Sequence, residues 1–486
     1  MKNLHTQSIR ELIKLIENRL ISAYELTSYF CDRIQTYNSK INAVISFDKD
    51  IALDQAKQID HRITKKKSSP LQGIPILQKD LICSTKFKTT CGSKMLANYQ
   101  SPFNAHVVNL CDAEGLIEIG KTNMDEFAMG SSNETSYFGN VLNPWEHTRV
   151  PGGSSGGAAA AVAAGFAPLA TGSDTGGSIR QPSSFCGLTG LKPTYGAVSR
   201  NGLIAFASSL DQIGPMAKSA EDCAYLMDVI TKKDPKDSTS QQYDMQFVDY
   251  LKNDIPPKIK IGIPKELKNF TIDSSVEKAF GETVQSLKGL NVEFVEISLS
   301  SMELALPAYY IIAPAECSSN LARYNGALFG YRHEGDNSLQ EMYSKTRTEG
   351  FGKEVKRRII IGTFVLSKGF QGQYYQKALS LCHNLKMEFK KIFSICDFIL
   401  TPTISTPAFE FNAYKNPVEM YQSDLFTIPA NLCGLPAISF QAGMHGKLPI
   451  GAQLIGNHFK DHELLQLVHH FQKATGWHEI YPEDYQ

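Results

Sequence analysis

The chain has 486 residues and carries 49 Lys+Arg against 49 Asp+Glu, a formal charge of zero. That balance excludes a broad basic nucleic-acid footprint on this chain and leaves any RNA to a partner. Hydrophobic residues at 42%, with 36 Gly and 22 Pro, exclude a disordered chain, and a core of this size needs neither disulfides nor metals.

Charges interrupt Met1–Leu20 every few residues, so the N-terminus holds no signal-peptide core, and Glu11 and Glu17 count against a transit peptide. Ile9, Leu12, Ile13, Ile16 and Leu20 recur at helical spacing, which makes the first forty residues helical with one apolar stripe. Lys65-Lys66-Lys67-Ser68-Ser69-Pro70 reads as a surface loop. Short apolar runs at Ile74–Leu77 and Leu116–Ile119, then an alanine-rich helix from Ala158, alternate strand with helix and predict a mixed or parallel sheet with helices on its faces. The most apolar run, Ala158–Ala164, is too short to span a bilayer.

Residues 231–245 are the most polar stretch, so 231–257 is the candidate connector between residues 1–230 and 258–486, or one exposed loop of a single domain over 1–486. Beyond it, Lys258–Ile263, Val292–Ile297, Asp397–Leu400 and Ala437–Phe440 read as strands, 274–289 as a helix and 303–395 as mostly helical. The ten cysteines are dispersed with no C-x-x-C pair. They predict small buried hydrophobes in a reducing, cytoplasmic setting and no zinc site.

Gly115-Leu-Ile-Glu-Ile-Gly120-Lys121-Thr122 fits the phosphate-cradling G-x-x-x-x-G-K-[ST] pattern. Its four middle residues are themselves strand-like and a helix end precedes Gly115, the reverse of the order a phosphate loop requires, so no nucleotide site is expected there.

Two glycine loops carry more chemistry: Gly152-Gly153-Ser154-Ser155-Gly156-Gly157, followed at once by an apolar helix, and Gly176-Gly177-Ser178. Successive glycines let backbone N–H groups converge on one point, as an oxyanion site requires, and each loop offers a serine. No His lies between His147 and His333, so neither loop supplies its own imidazole base. His106 and His147 are spatial candidates, and a desolvated lysine is another. Lys79, at the end of the strand-like L-Q-G-I-P-I-L-Q-K, is that lysine. Cys186 is the thiol alternative, in an apolar setting that favours an inert packed side chain.

Taken in order, L-Q-G-I-P-I-L-Q-K-D, P-G-G-S-S-G-G and G-S-D-T-G-G-S-I-R-Q-P resemble the amidase signature family. The resemblance implies a large mixed, mostly parallel α/β sheet covered by helices on both faces. It implies Ser178 as nucleophile, Ser154, preceded by a cis peptide, as proton relay, and Lys79 as base. Backbone N–H groups of Thr175, Gly176, Gly177 and Ser178 would form the oxyanion hole. Ala158, Ser183 and Ser184 depart from the family pattern without touching the triad.

The likeness extends through G-K-T-N-M-D-E-F-A-M-G-S-S-N from Gly120, A-E-C-S-S-N-L-A-R-Y-N-G from Ala315, G-F-G-K-E-V-K-R-R-I from Gly350 and D-L-F-T-I-P-A-N from Asp424. Over this span the chain is similar to the family's glutamine-hydrolysing subunits of tRNA-dependent amidotransferases. That implies glutamine as substrate, with Tyr309, Arg358 and Asp424 on its head group and Arg357 competing with Arg358 for the role. It also implies a heterotrimer: a tRNA-binding partner subunit using ATP and Mg²⁺ to amidate Glu-tRNA(Gln) and/or Asp-tRNA(Asn), a small linker subunit, and no cofactor or metal on this chain. A stand-alone amidase acting on another small amide is the alternative.

Overall fold

Eleven strands join in one sheet: β1 (Val44–Phe47), β2 (Pro75–Lys79), β3 (Ile117–Thr122), β4 (Leu169–Asp174), β5 (Thr189–Lys192), β6 (Gln212–Ala217), β7 (Lys260–Pro264), β8 (Glu293–Ile297), β9 (Phe398–Pro402), β10 (Ala437–His445) and β11 (Leu448–Gly456). They come from a computed structural model that describes residues 3–65, 69–335 and 338–486. Their order is β1-β3-β2-β4-β6-β5-β10-β11-β9-β7-β8. Every residue of β2, β3, β4, β6, β9 and β11 is buried, which requires cover on both faces of the sheet.

The sheet is mixed, as the sequence predicts, but parallel neighbours do not dominate along its whole width. They form two blocks, β3-β2-β4 and β9-β7-β8, while β1 with β3 and the run from β4 through β9 pair antiparallel. The physical reason is clearest in β10 and β11, joined by Gly446 and Lys447 alone. So short a link can only make a hairpin, whereas parallel strands need a long crossover.

The predicted N-terminal helix is two helices. Ile9–Glu17 buries Ile9, Leu12, Ile13 and Ile16, and Ser8 with Glu11 closes a reciprocal cap at its start. A second such cap, Ser22 with Glu25, starts Ala23–Ile41. Leu20 falls in the break between them and is exposed. The helix Lys49–Lys65 runs up to the predicted basic loop, of which Lys66, Lys67 and Ser68 lie outside the described residues.

The polar stretch 231–257 is pinned to the body rather than free. Ser199 Oγ donates to Asp234 at 2.7 Å, Gln241 N to the Gly196 carbonyl at 2.8 Å, and Tyr243 Oη to the Phe459 carbonyl at 2.9 Å. Strands from before and after it share the one sheet, with β5 paired to β10. Strand β3 occupies the phosphate-loop pattern, with the helix His106–Ala113 before it and Lys121 Nζ donating to the Ile82 carbonyl, so no phosphate cradle forms.

Candidate active site

The carboxyl ends of the parallel strands β2 and β4 define the site, the usual place for a ligand in such a block. Lys79 closes β2 and is fully buried. Its Nζ donates to Ser154 Oγ at 2.8 Å, to Ser173 Oγ at 2.9 Å and to the Ser173 carbonyl at 3.4 Å. Burial pushes its ammonium down to about 7, against a smaller opposing pull from Asp125, Asp174 and Asp211. An amine so placed is partly neutral at neutral pH and able to accept a proton from a serine hydroxyl.

Ser154 stands in the first glycine loop, after a cis Gly153–Ser154 peptide bond. Gly153 N donates to Gln181 Oε1 at 2.9 Å, and Asp125 N donates to the Ser154 carbonyl at 3.2 Å. The helix Gly156–Ala163 leads away from this loop, buried at every position, which is why it consists of Gly, Ala and one Val.

Ser178 lies on the turn between β4 and the helix Arg180–Cys186, and its carbonyl accepts from Ser155 N at 3.2 Å, which joins the two loops. Its side-chain hydroxyl has no hydrogen-bond partner among the described residues, so the Lys79–Ser154 half of the expected relay is hydrogen-bonded and the Ser178 half is not. Asp174 fixes the turn. Burial alone would raise its pKa, but the Arg180 guanidinium overrides that and holds the carboxylate well below its usual range. The carboxylate accepts from Gly177 N at 2.8 Å, Ile179 N at 3.2 Å, and Arg180 Nε and Nη2 at 3.0 Å each.

That arrangement sorts the four expected oxyanion donors. Gly177 N–H is engaged by Asp174, so here Gly177 serves the turn, where its φ of +130° suits only glycine. The N–H groups of Thr175, Gly176 and Ser178 have no partner among the described residues. Buried amides are seldom left so, and three of them beside a free hydroxyl suit a developing negative charge.

The expected head-group residues also come together. A side chain on Gly176 would meet the Tyr309 hydroxyl at 2.7 Å, so that ring abuts the turn directly. The neighbouring Tyr310, unassigned in the sequence, donates to Asp424 at 2.8 Å, and Ser131 donates to the same oxygen at 2.9 Å. Burial lifts the Asp424 carboxyl to about 6, although these two donors and Arg358 pull the other way. Arg358 is buried, with its guanidinium 5.3 Å from the Tyr310 ring centre, whereas the side chain of Arg357 is 42% exposed. The geometry therefore favours Arg358 over Arg357.

The other candidates lie elsewhere. His147 bonds Tyr485 at 3.0 Å and His106 faces Asp234 at 3.6 Å. The Cys186 thiol is fully buried, its pKa is pushed up by that burial, and its Sγ lies 3.5 Å from the Pro151 carbonyl. Ser183 Oγ, one of the departures, is buried without a partner among the described residues. No cluster of His, Cys, Asp or Glu among the described residues could hold a metal, and no helix among them is long and apolar enough to cross a membrane. Ser173, Asp125, Asp174 and Ser131 received no role from the sequence, although each sits inside a motif that carries the resemblance.

Comparison with known proteins places these residues in context. The amidase family profile matches residues 25–465. The A subunit of the glutamyl-tRNA(Gln) amidotransferase of Coxiella burnetii is 52% identical over 481 residues, covering 99% of this chain and 100% of that one. The protein of the same name from Nitrosomonas europaea is 50% identical over 480 residues, with coverage of 98% and 99%. The crystal structure of the corresponding glutamyl-tRNA(Gln) amidotransferase chain from Thermotoga maritima superimposes with a TM-score of 0.81 at 37% identity, covering 98% of this chain and 96% of that one. A 6-aminohexanoate cyclic dimer hydrolase, at 23% identity and a TM-score of 0.86 with 99% of each chain covered, shares the fold.

Proposed function

Because this chain belongs to the amidase family, we propose that it hydrolyses glutamine to glutamate and ammonia through Lys79, Ser154 and Ser178, as the glutaminase component of a tRNA-dependent amidotransferase. Ser178 Oγ attacks the side-chain amide carbon while its proton passes to Ser154 Oγ, whose own proton moves to Lys79 Nζ. The tetrahedral oxyanion rests against the N–H groups of Thr175, Gly176 and Ser178. Each such donor is typically worth about 3–4 kcal/mol of barrier. The relay then runs backward and protonates the leaving nitrogen as ammonia. Water, deprotonated through the same relay, hydrolyses the Ser178 ester to glutamate.

The observation that carries this reading is the fully buried Lys79 amine, 2.8 Å from Ser154. Arg358 and Asp424, both buried and flanking Tyr310, support an amino-acid head group: the first would take its carboxylate and the second its ammonium. The stand-alone amidase reading has no use for that pair.

Ammonia released here would serve a partner subunit that activates the carboxyl group on charged tRNA with ATP and Mg²⁺, with a small third subunit joining the two, all in the cytoplasm. The electroneutral chain fits such a division, since tRNA phosphates would be met elsewhere. The test is Ser178→Ala in the assembled complex. Glutamine-dependent amidation of Glu-tRNA(Gln) should vanish while ammonia-dependent amidation persists. Undiminished use of glutamine would overturn the mechanism, and faster turnover by the parent of a plain aliphatic amide than of glutamine would return the chain to the stand-alone reading.

A further inference from the structure

Arg358 has a support that the reaction scheme above does not use. Its Nε donates to Glu354 Oε1 at 2.8 Å, and the hydroxyl of Tyr421 donates to the same oxygen, also at 2.8 Å. Glu354 stands one helical turn before Arg358 on Lys353–Leu366, the spacing at which two side chains on a helix meet. Its other carboxylate oxygen takes Arg357. Three rings surround the guanidinium, Phe206 at 5.4 Å, Tyr310 at 5.3 Å and Tyr421 at 5.5 Å. The terminal nitrogens of Arg358 have no hydrogen-bond partner among the described residues.

The same residues reach Asp424. Tyr421 stacks on Tyr310 with ring centres 3.9 Å apart and planes at 20°, and Tyr310 donates to Asp424. An unbroken series therefore runs Arg358–Glu354–Tyr421–Tyr310–Asp424 and ends on the two side chains of opposite charge. A guanidinium offers two edges for a bidentate carboxylate, one including Nε and one formed by the two terminal nitrogens. Glu354 occupies the first, which leaves the second.

Resting on the glutamine reading, we propose that Glu354 and Tyr421 are positioning residues that present the terminal edge of Arg358 to the substrate carboxylate and tie it, through Tyr310, to Asp424. Selectivity for an α-amino acid then comes from one preset cation–anion unit rather than from two independent contacts. Glu354 also balances the buried Arg358 charge whenever the site is empty, so that the guanidinium stays in place without substrate.

The test uses the assembled complex, with ammonia-dependent amidation as the measure of intact assembly. Glu354→Gln should raise the KM for glutamine roughly tenfold, the scale of one charge-assisted hydrogen bond, and leave kcat within about twofold. Tyr421→Phe, which removes only the hydroxyl, should raise KM by about threefold. In a double-mutant cycle, Glu354→Gln combined with Arg358→Gln should be no worse than Arg358→Gln alone, because the two act through one group. Additive losses, or a fall in kcat at unchanged KM, would overturn the proposal. If Arg358→Gln raises KM and Glu354→Gln does not, the positioning role alone fails; if Arg358→Gln leaves KM unchanged, the head-group reading fails with it. Should Glu354→Gln not assemble, Tyr421→Phe decides, and an unchanged KM there overturns the proposal.

Discussion

Replacing Lys79 with Met separates proton chemistry from packing. The side chains are similar in length and volume, but Met carries no charge. In the parent, burial lowers the folded pKa from its ordinary 10.5 to about 7. Between those values the unfolded chain binds more protons than the folded one, so parent stability rises with pH across that window. Below about pH 7 both states are protonated and the penalty for the buried ammonium is complete. Taking the two pKa values together gives a penalty of about 4 kcal/mol at pH 7 and about 2 kcal/mol at pH 9. Met removes that penalty and leaves Ser154 and Ser173 each without a partner, a pH-independent loss of roughly 1–3 kcal/mol apiece. The slope is therefore the observable. Relative to the parent, Lys79→Met should lose about 2 kcal/mol of stability between pH 7 and pH 9. Thermal melting of both proteins across that range, with glutamine-dependent activity measured alongside, gives the answer. A stability difference that does not change with pH would show that the amine keeps an ordinary pKa and is unsuited to act as a base. Retained glutamine turnover in the variant would refute the relay itself.

Two further outcomes follow from the same geometry. Asp424 titrates near 6 and must be ionised to hold an ammonium, so the KM for glutamine should fall about tenfold as pH rises from about 5 to 7, and Asp424→Asn should flatten that dependence. Iodoacetamide should leave glutamine-dependent activity intact at neutral pH, because all ten cysteines are buried and Cys186 is held as a thiol; rapid inactivation would bring the thiol mechanism back.

The strands legible in the sequence were β2, β3, β7, β8, β9 and the first half of β10, each with an apolar run, whereas β1 and β11 fall outside the predicted strands despite apolar residues of their own. Strands β4, β5 and β6 read L-A-T-G-S-D, T-G-L-K and Q-I-G-P-M-A. Each contains glycine and little β-branched residue, so neither alternation nor composition marks them. They are strands because neighbours on both sides supply the hydrogen bonds and the helices bury their faces. Their glycines fit where neighbours crowd the sheet, as Gly172 does against Ile179 on the following turn and Met216 of β6.

By itself, the order of residues determined the α/β class, the two serine-bearing glycine loops, a lysine at a strand end, and the absence of a histidine from those loops. These are local properties, written in spacing and residue type. The folded chain alone decided that Lys79 is cut off from water, that Gly177 is taken by Asp174 while three neighbouring amides have no partner among the described residues, and that Arg358 rather than Arg357 turns inward. It alone brought Glu354 and Tyr421, 67 positions apart, onto one guanidinium. Desolvation and hydrogen-bond competition depend on what the rest of the chain places around a group, and residues far apart in sequence supply most of those surroundings.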